Sequence, residues 1–240
     1  MSEFHNYRYT AQTHVGLKRK VNEDTILALP EQDIWMVADG MGGHQAGDFA
    51  SRAIADAVAM IPVGLDPTAR MHALRDAIQG AHQLIRTEAE ERGAGVIGAT
   101  VVALMMANGH FVGLWAGDSR IYRLRDGQIE MLTTDHSSVA EYVLAGRMTW
   151  DEAEQHPQSN AITRAVGVGD VLELDKVRGE AHSGDRFLVC SDGLTKYATF
   201  AMLQDMLSTT PIETVVERLV QVALAGGGAD NISAIVVDVL

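Results

Sequence analysis

The chain has 240 residues, of which 47% are hydrophobic and 21% charged, proportions typical of a soluble globular protein that can bury a sizeable core as one domain. Its formal net charge of -13 argues against a nucleic-acid partner, because binding to a phosphate backbone requires basic surfaces. The single cysteine, Cys190, excludes an internal disulfide and fits a reducing compartment, so we expect a cytoplasmic protein.

No membrane association is expected either. The N-terminal residues lack the apolar core of a signal peptide. The longest apolar stretch, 96–116, is interrupted by Asn108-Gly109, a dipeptide typical of a tight hairpin turn. This stretch is therefore interpreted as two strands of a soluble protein rather than a membrane span.

Hydrophobic periodicity predicts strands joined by tight turns and a few long helices in the first half of the chain. The predicted strands are 7–12, 25–30, 34–38, 101–106, 110–116, 121–125 and 129–132. A helix follows Gly47, and a second begins after Asp66 and ends at Gly93. Because Asn108-Gly109 and Asp126-Gly127 join consecutive strands, these strands should form an antiparallel sheet.

The second half begins with a segment that has few apolar residues for its length. Segment 133–169 contains a short helix at 139–145 and another that starts with a capping box, Thr149 with Glu152. We expect this segment to form a flap on the surface. Beyond it, the pattern predicts strands at 187–190 and 232–237 and helices at 200–207 and 211–224, the latter opened by a capping box of Thr210 and Glu213. The whole chain, 1–240, is expected to form a single domain.

Carboxylates recur at the junctions between apolar strands and glycine-containing loops. The junctions are Glu23-Asp24, Asp39-Gly40, Gly117-Asp118, Asp192-Gly193 and Asp230-Asn231. Aspartate is a good turn former, so each junction alone could serve only the backbone. Several carboxylates at strand ends would repel one another unless a cation neutralises them, and oxygen ligands favour Mg²⁺ or Mn²⁺ over zinc. Both interpretations remain open at this point.

Taken in order, the motifs of the chain resemble those of the metal-dependent Ser/Thr protein phosphatases, the PPM or protein phosphatase 2C-like family, in their compact bacterial form. The motifs are Arg19-x-x-Asn22-Glu23-Asp24, Asp39-Gly40-Met41-Gly42-Gly43-His44, Gly117-Asp118-Ser119-Arg120, Ser191-Asp192-Gly193 and Asp230-Asn231-Ile232. Each motif alone is weak evidence, but the ordered set is specific. The resemblance extends from about Thr13 to the C-terminus.

The resemblance implies an α/β (α+β) fold, a four-layer α-β-β-α sandwich in which helices flank two antiparallel sheets and the metal site lies at one end. The metal ligands it implies are Glu23, Asp24, Asp39, Gly40, Asp118, Asp192 and Asp230. Asp39 would bridge two Mn²⁺ or Mg²⁺ ions, with the Gly40 carbonyl as a further ligand. Asp192 and Asp230 would complete the first ion, and Glu23 and Asp24 would hold the second, in part through water. Asp118 would share a third, weaker ion with Asp192.

The resemblance also implies the chemistry. A hydroxide that bridges the two metals would attack phosphorus directly, without a covalent phospho-enzyme. Arg19 matches the residue that binds the substrate phosphate, for which a planar guanidinium is suited. His44 is a candidate acid for the leaving group, although it could instead orient waters or cap the following helix, and a metal-bound water could serve as the acid. Eukaryotic relatives often carry histidine at the position of Met41.

The implied substrates are phosphoserine and phosphothreonine in proteins, and the implied partner is a eukaryotic-like Ser/Thr kinase. A role in regulating type VI secretion is a further expectation. The alternatives are a non-catalytic phosphatase-like binding module and a phosphatase for a small phosphorylated metabolite. Cysteine-based phosphatase chemistry is disfavoured, because Cys190 lies within a predicted strand and no arginine follows within a few residues.

Overall fold

The computed structural model describes residues 6–42, 46–93 and 95–240, which contain eleven β-strands and seven α-helices. The strands are β1 Tyr7–His14, β2 Asp24–Leu29, β3 Ile34–Met41, β4 Gly98–Ala99, β5 Val101–Ala107, β6 His110–Ala116, β7 Arg120–Arg125, β8 Gln128–Met131, β9 Asp175–Glu180, β10 Arg186–Cys190 and β11 Ile232–Val239. The helices are α1 Ala46–Ala59, α2 Pro67–Glu91, α3 Ala140–Leu144, α4 Trp150–Ala153, α5 Asp192–Thr195, α6 Phe200–Thr209 and α7 Ile212–Gly226.

The strands form two antiparallel sheets that pack face to face. One sheet has the order β1-β11-β10-β7-β8 and the other β2-β3-β5-β6-β9, with β4 paired to β3. Helices α1 and α2 cover the outer face of the second sheet, and α6 and α7 cover that of the first. The expected four-layer arrangement of two antiparallel sheets flanked by helices is therefore confirmed.

The strand β3 shows why the central strands are uniformly apolar. Its alternate residues Trp35 and Val37 point into the core between the sheets, together with Phe111 of β6 in the same sheet and Phe187 of β10 in the facing sheet. The intervening residues, such as Met36, pack under the helices on the opposite side. A strand covered on both faces must be apolar at every position, since successive side chains point to opposite faces.

Two predicted helix starts are confirmed. The Asp66 side chain accepts hydrogen bonds from two backbone N–H groups in the first turn of α2, and Gly93, at φ +55°, follows the end of that helix. Thr149 and Glu152 form the predicted capping box at the start of α4.

The capping box predicted for Thr210 and Glu213 is wrong. Helix α7 is capped by Pro211, without a side-chain hydrogen bond, and Thr210 instead ends the preceding helix. The carbonyl of Thr210 accepts a hydrogen bond from Arg186 Nη1 at 2.7 Å, which fixes the connection between the helices from the sheet below. A strand that the periodicity did not predict, β9, forms the edge of the second sheet beside β6.

Segment 133–169 contains α3 and α4 and is tied to the rest of the chain at its ends. Ser137 forms a β-bridge with Ile162 within the segment, and Val166 forms one with Ala99 of β4, which pairs with the end of β3. Buried residues such as Val139 and Ala153 anchor the segment on the body of the molecule. None of the helices in the described ranges is both long enough and apolar enough to cross a lipid bilayer.

Candidate metal centre

Four carboxylates from both sheets meet at one end of the sandwich. Asp24 begins β2 and lies directly opposite Asp39 near the end of β3. Asp192 follows β10 at the first position of α5, and Asp230 lies two residues before β11. Strands β10 and β11 are neighbours in the first sheet. The charges of all three of these partners, and that of Asp118, act on Asp39.

The pKa values of these carboxylates reflect their burial and their proximity. Burial, with the charges of Asp192 and Asp230, raises the pKa of Asp24 to about 7. Burial and the charge of Asp230 raise the pKa of Asp192 to about 6. Burial and the charges of Asp24 and Asp192 hold the pKa of Asp39 well above its ordinary range. Such a group binds either protons or a cation, because converging negative charges oppose ionisation.

Two carboxylate oxygens in this group are buried without a hydrogen bond. Neither Asp24 Oδ1 nor Asp192 Oδ1 has a partner among the described residues. A buried, unpaired carboxylate oxygen is costly unless a metal or a donor reaches it. The available donors are oxygens only, and this set suits Mg²⁺ or Mn²⁺. The residues present therefore fit a divalent metal centre.

The carboxylates surround a region rather than a single point. In the described part of the chain, no three acidic, histidine or cysteine side chains are gathered closely enough to hold a metal ion. Uncompensated carboxylates repel one another at close range. Magnesium commonly keeps several waters and takes only one or two protein carboxylates, so water and backbone oxygens would complete its coordination.

Two glycines allow the backbone to approach the acidic pair at Glu23-Asp24. A Cβ atom on Gly40 would lie 2.1 Å from the Gly47 carbonyl oxygen and 2.6 Å from the Glu23 carbonyl oxygen. A Cβ atom on Gly47 would lie 2.7 Å from Glu23 Oε1. The Gly40 N–H also donates to the Glu23 carbonyl at 3.1 Å. Only glycine fits at both positions, and the close packing places the Glu23 carboxylate beside the turn that follows Asp39.

Arg19 lies at the rim of the site. Its Nη2 atom is 2.8 Å from Asp230 Oδ2, and half of its side chain is exposed. The hydrogen bond to Asp230 raises the pKa of Arg19, so the guanidinium stays charged. The Nη2 edge of the guanidinium is held by Asp230, and the other N–H groups of this half-exposed side chain can bind an incoming anion.

The loop that carries Arg19 is fastened by Asn231. Its Nδ2 atom donates to the carbonyls of Val15 and Val21 at 2.9 and 3.1 Å, and its Oδ1 accepts from the Glu23 N–H at 2.8 Å. Asn231 belongs to the motif Asp230-Asn231-Ile232, but no role was predicted for its side chain. Its three hydrogen bonds give it one, since they hold the loop against the start of β11.

Asp118 lies beside Asp192 at the edge of the group. It follows Gly117 at the end of β6, is buried, and faces a small cavity that it shares with Asp192 and with Glu154 and Ser159 of segment 133–169. Burial and the charge of Asp192 hold its pKa well above the ordinary range. The structure thus brings Asp118 next to the group, on the side facing the segment.

A buried arginine beside this cavity, Arg120, belongs to one of the sequence motifs but had no predicted role. Arg120 forms a two-pronged ion pair with Asp135, at 2.9 and 2.6 Å, and a second ion pair with Glu154 at 2.8 Å. Its Nη1 atom also donates to the Tyr122 hydroxyl, and its guanidinium lies 5.2 Å from the ring centre of Trp150. The Arg120 guanidinium therefore connects the first sheet to two points of segment 133–169, Asp135 before α3 and Glu154 after α4.

His44 lies outside the described residues, together with Gly43 and Gln45. Its proposed role as leaving-group acid stays a prediction. All the other predicted site residues are described, and each of them lies at the same end of the sandwich or at its rim.

Comparison with known proteins identifies the family. Residues 15–234 match the family model described as protein phosphatase 2C. The serine/threonine protein phosphatase PstP of Mycobacterium tuberculosis is 36% identical over 237 residues, which cover 97% of this chain but 45% of PstP. This chain therefore spans slightly less than half of PstP. The protein phosphatase PhpP of Streptococcus pneumoniae is 36% identical, with 94% of each chain covered.

Solved structures agree with this assignment. PppA, described as a key regulatory component of the type VI secretion system in Pseudomonas aeruginosa, has a TM-score of 0.90 and 44% identity, with 98% of each chain covered. The catalytic domain of a PstP in complex with two manganese ions has a TM-score of 0.85 and 34% identity, again with 98% of each chain covered. With its fold, its ordered motifs and a family model matched over nearly its whole length, this chain belongs to the protein phosphatase 2C family.

Proposed function

We propose that this protein is a metal-dependent phosphatase that hydrolyses phosphoserine and phosphothreonine in proteins. The observation that carries the proposal is the group of buried and half-buried carboxylates from both sheets, two of whose oxygens are buried without a hydrogen-bond partner among the described residues, beside the half-exposed guanidinium of Arg19. Family membership supplies the class of reaction, and the arrangement of these residues suits it.

In this proposal the metal ligands are Glu23, Asp24, Asp39, the Gly40 carbonyl, Asp192 and Asp230, and Asp118 and Asp192 share a third, weaker ion. When bound, two Mn²⁺ or Mg²⁺ ions supply an activated water and offset the negative charge of a phosphate dianion. Asp39 would hold both ions, as the family resemblance implies, and the charges of Asp24, Asp192 and Asp230 act on it. Arg19 binds the phosphate oxygens through its exposed nitrogen atoms while Asp230 orients it. His44 is the candidate proton donor to the leaving alkoxide.

The substrate and partner proposals rest on the relatives. The names of PstP and PhpP describe protein phosphatases, which favours phosphoproteins over small metabolites as substrates. A eukaryotic-like Ser/Thr kinase is the proposed partner, and the likeness to PppA supports a role in regulating type VI secretion. The unpaired, buried thiol of Cys190 agrees with a reducing compartment, and we place the enzyme in the cytoplasm on that ground.

The competing proposal is a phosphatase-like module that binds phosphoproteins without hydrolysing them. Such a module has no need for buried carboxylates, which are unfavourable to the fold. The chain nevertheless has an acidic residue at every position where the family places a side-chain metal ligand. The presence of this costly group favours an enzyme.

The test is hydrolysis of a phosphothreonine peptide with added Mn²⁺, with chelator, and by the variant Asp39→Asn. We expect activity that depends on Mn²⁺ and falls to background with chelator. Asp39→Asn should lower kcat by about a thousandfold or more, since it removes the proposed bridging charge. Asp126→Asn is the matched control, because Asp126 lies in an exposed hairpin turn at φ 50°, which asparagine also adopts.

Full activity of Asp39→Asn would overturn the mechanism. A wild-type protein that binds Mn²⁺ and the phosphopeptide but does not hydrolyse it would support the binding module. Hydrolysis of small phosphate esters together with no activity on several phosphopeptides would support the metabolite phosphatase.

A further inference from the structure

Asp24 accepts hydrogen bonds from two serine hydroxyl groups of the opposite sheet. Ser191 Oγ and Ser233 Oγ donate to the same carboxylate oxygen, Oδ2, at 2.8 and 2.7 Å. Both serines are completely buried, and Asp24 is 6% exposed. The other oxygen, Oδ1, is equally buried and has no hydrogen-bond partner among the described residues. One oxygen of the carboxylate thus accepts two hydrogen bonds, and the other accepts none from the described residues.

The hydrogen bonds behind the serines have a fixed direction. The Thr13 and Ser233 hydroxyl oxygens lie 2.8 Å apart, so one of them donates to the other. Because the single hydroxyl proton of Ser233 is donated to Asp24, Thr13 must be the donor to Ser233. Thr13 Oγ1 in turn accepts from Asn22 Nδ2 at 2.8 Å, and an amide nitrogen can only donate. The Asn22 amide is oriented by its other end, since its Oδ1 accepts from the Asp24 N–H at 3.2 Å.

Every donor in this chain therefore points toward Asp24 Oδ2. Ser191 Oγ also accepts from the Ser233 N–H at 3.1 Å, so its own proton is free to point at the carboxylate. Thr13 and Ser233 are directly paired residues on β1 and β11, so the donors are set by the register of the first sheet. Hydrogen bonds aligned in one direction polarise and strengthen one another.

We propose that Thr13, Ser191 and Ser233 form a hydroxyl clamp that turns Asp24 so that its Oδ1 faces the metal centre. They are positioning residues, because they act through Asp24 and are not themselves proposed as ligands of metal or substrate. The inference rests on the proposed function, since it assumes that Asp24 Oδ1 binds a metal ion or a metal-bound water.

A purely structural role would give a different pattern of effects. If the hydroxyl groups only joined the two sheets, their removal would lower the stability of the protein and leave Mn²⁺ affinity unchanged. A clamp that orients a ligand instead changes Mn²⁺ affinity. Removal of a partner that orients a metal ligand typically weakens metal binding about 10- to 100-fold.

The test measures Mn²⁺ binding to the full chain by isothermal titration calorimetry, together with the Mn²⁺ concentration for half-maximal hydrolysis and kcat at saturating Mn²⁺. Ser233→Ala should raise the Kd for Mn²⁺ by about 10- to 100-fold, with kcat at saturation nearly unchanged. Thr13→Val, which keeps the shape and removes the hydroxyl, should weaken binding less, by several-fold. Thr13→Ser, which keeps the hydroxyl, should restore wild-type affinity.

Ser51→Ala is the matched control. Ser51 is a completely buried serine whose hydroxyl pairs with Thr25, the residue after Asp24, at 2.9 Å and donates to the Asp48 backbone carbonyl at 3.3 Å. Its removal should leave the Kd for Mn²⁺ unchanged.

The outcomes separate the two proposals. If the wild-type protein binds Mn²⁺ and both Ser233→Ala and Thr13→Val bind it with the same affinity, the clamp is overturned and the proposed function stands. Absence of Mn²⁺ binding and of hydrolysis in the wild-type protein overturns both. If Ser233→Ala does not fold, the pair Thr13→Val and Thr13→Ser decides alone, since Thr13 is only partly buried.

Discussion

Asp192 combines a cost to the fold with a role in the proposed chemistry. Its Oδ1 atom is buried without a partner among the described residues, and burial with the Asp230 charge raises its pKa to about 6. The raised pKa means that the metal-free fold opposes the ionised carboxylate. A metal ion would reverse this preference, because it favours the ionised form.

Asp192→Asn should therefore stabilise the metal-free protein and abolish its activity. Removal of the buried charge should raise the free energy of unfolding at pH 8 by about 1–3 kcal/mol, as follows from the size of the pKa change. Thermal or urea unfolding in the presence of chelator measures this. Asp205→Asn, on the exposed face of α6, is the control and should change stability by less than about 0.5 kcal/mol. A destabilised Asp192→Asn would contradict this account of the site.

Segment 133–154 is joined to the first sheet through a buried cation. Arg120 is 4% exposed and neutralises Asp135 and Glu154, which precede and follow α3 in the chain. The Thr195 hydroxyl also donates to Glu154, at 2.9 Å, from the helix that begins with Asp192. The Arg120 guanidinium is therefore one of the groups that hold the segment beside Asp118 and Asp192.

Arg120→Met should destabilise the protein by about 3–5 kcal/mol, because it leaves two buried carboxylates without a counter-charge. Urea unfolding measures the effect. The triple variant that adds Asp135→Asn and Glu154→Gln should recover part of the loss, since it removes the uncompensated charges. Arg52→Met is the control, because Arg52 pairs with Asp48 on the exposed face of α1 and should cost about 0.5 kcal/mol or less. Equal effects of Arg52→Met and Arg120→Met would refute the proposed connection.

The elements differ in how far sequence could predict them. Central strands such as β3 are evident because burial on both faces demands an unbroken apolar run. Strand β9 was missed because it lies at a sheet edge, where Lys176 and Arg178 face solvent and interrupt the apolar pattern. Propensity and capping rules read local sequence, so they cannot anticipate an edge strand that is stabilised mainly by its partner β6.

The same distinction applies to the site. Asp39 and Asp192 stand out because each is followed by glycine at the end of an apolar strand, a signal contained in a few consecutive residues. The partners of Arg120 and of Asp24 could not be found in this way, since Ser233 lies 209 residues from Asp24 in the chain. Such pairs are created by the sheet register and leave no local pattern. The metal-ligand roles themselves stay predictions.

At the scale of the whole molecule, the acidic group makes stability depend on pH. The pKa of Asp24 is about 7 in the folded protein against an ordinary value of 3.8. Between these values the folded state holds a proton that the unfolded state has released. The free energy of unfolding therefore falls as the pH rises toward 7, and the stabilisation is lost above it. The lowered pKa values of His82 and His136 act in the opposite direction only below about pH 6.5.

We therefore expect the metal-free protein to melt at a higher temperature at pH 6.5 than at pH 8. Saturating Mn²⁺ should raise the melting temperature more at pH 8, because carboxylates bind metal in their ionised form and metal binding stabilises the folded state. Thermal unfolding at both pH values, with chelator and with Mn²⁺, measures this. Asp192→Asn should reduce the difference. A larger effect of Mn²⁺ at pH 6.5 would contradict the prediction.

The most direct measurement is a crystal structure of the Mn²⁺-loaded protein, with the ions located by anomalous scattering. The account predicts two strong peaks at the end of the sandwich where Asp24, Asp39, Asp192 and Asp230 meet, with the Asp39 carboxylate between them. A weaker third peak is expected beside Asp118. Manganese bound elsewhere on the protein, with none next to Asp39, would contradict the central claim that these carboxylates form a metal centre.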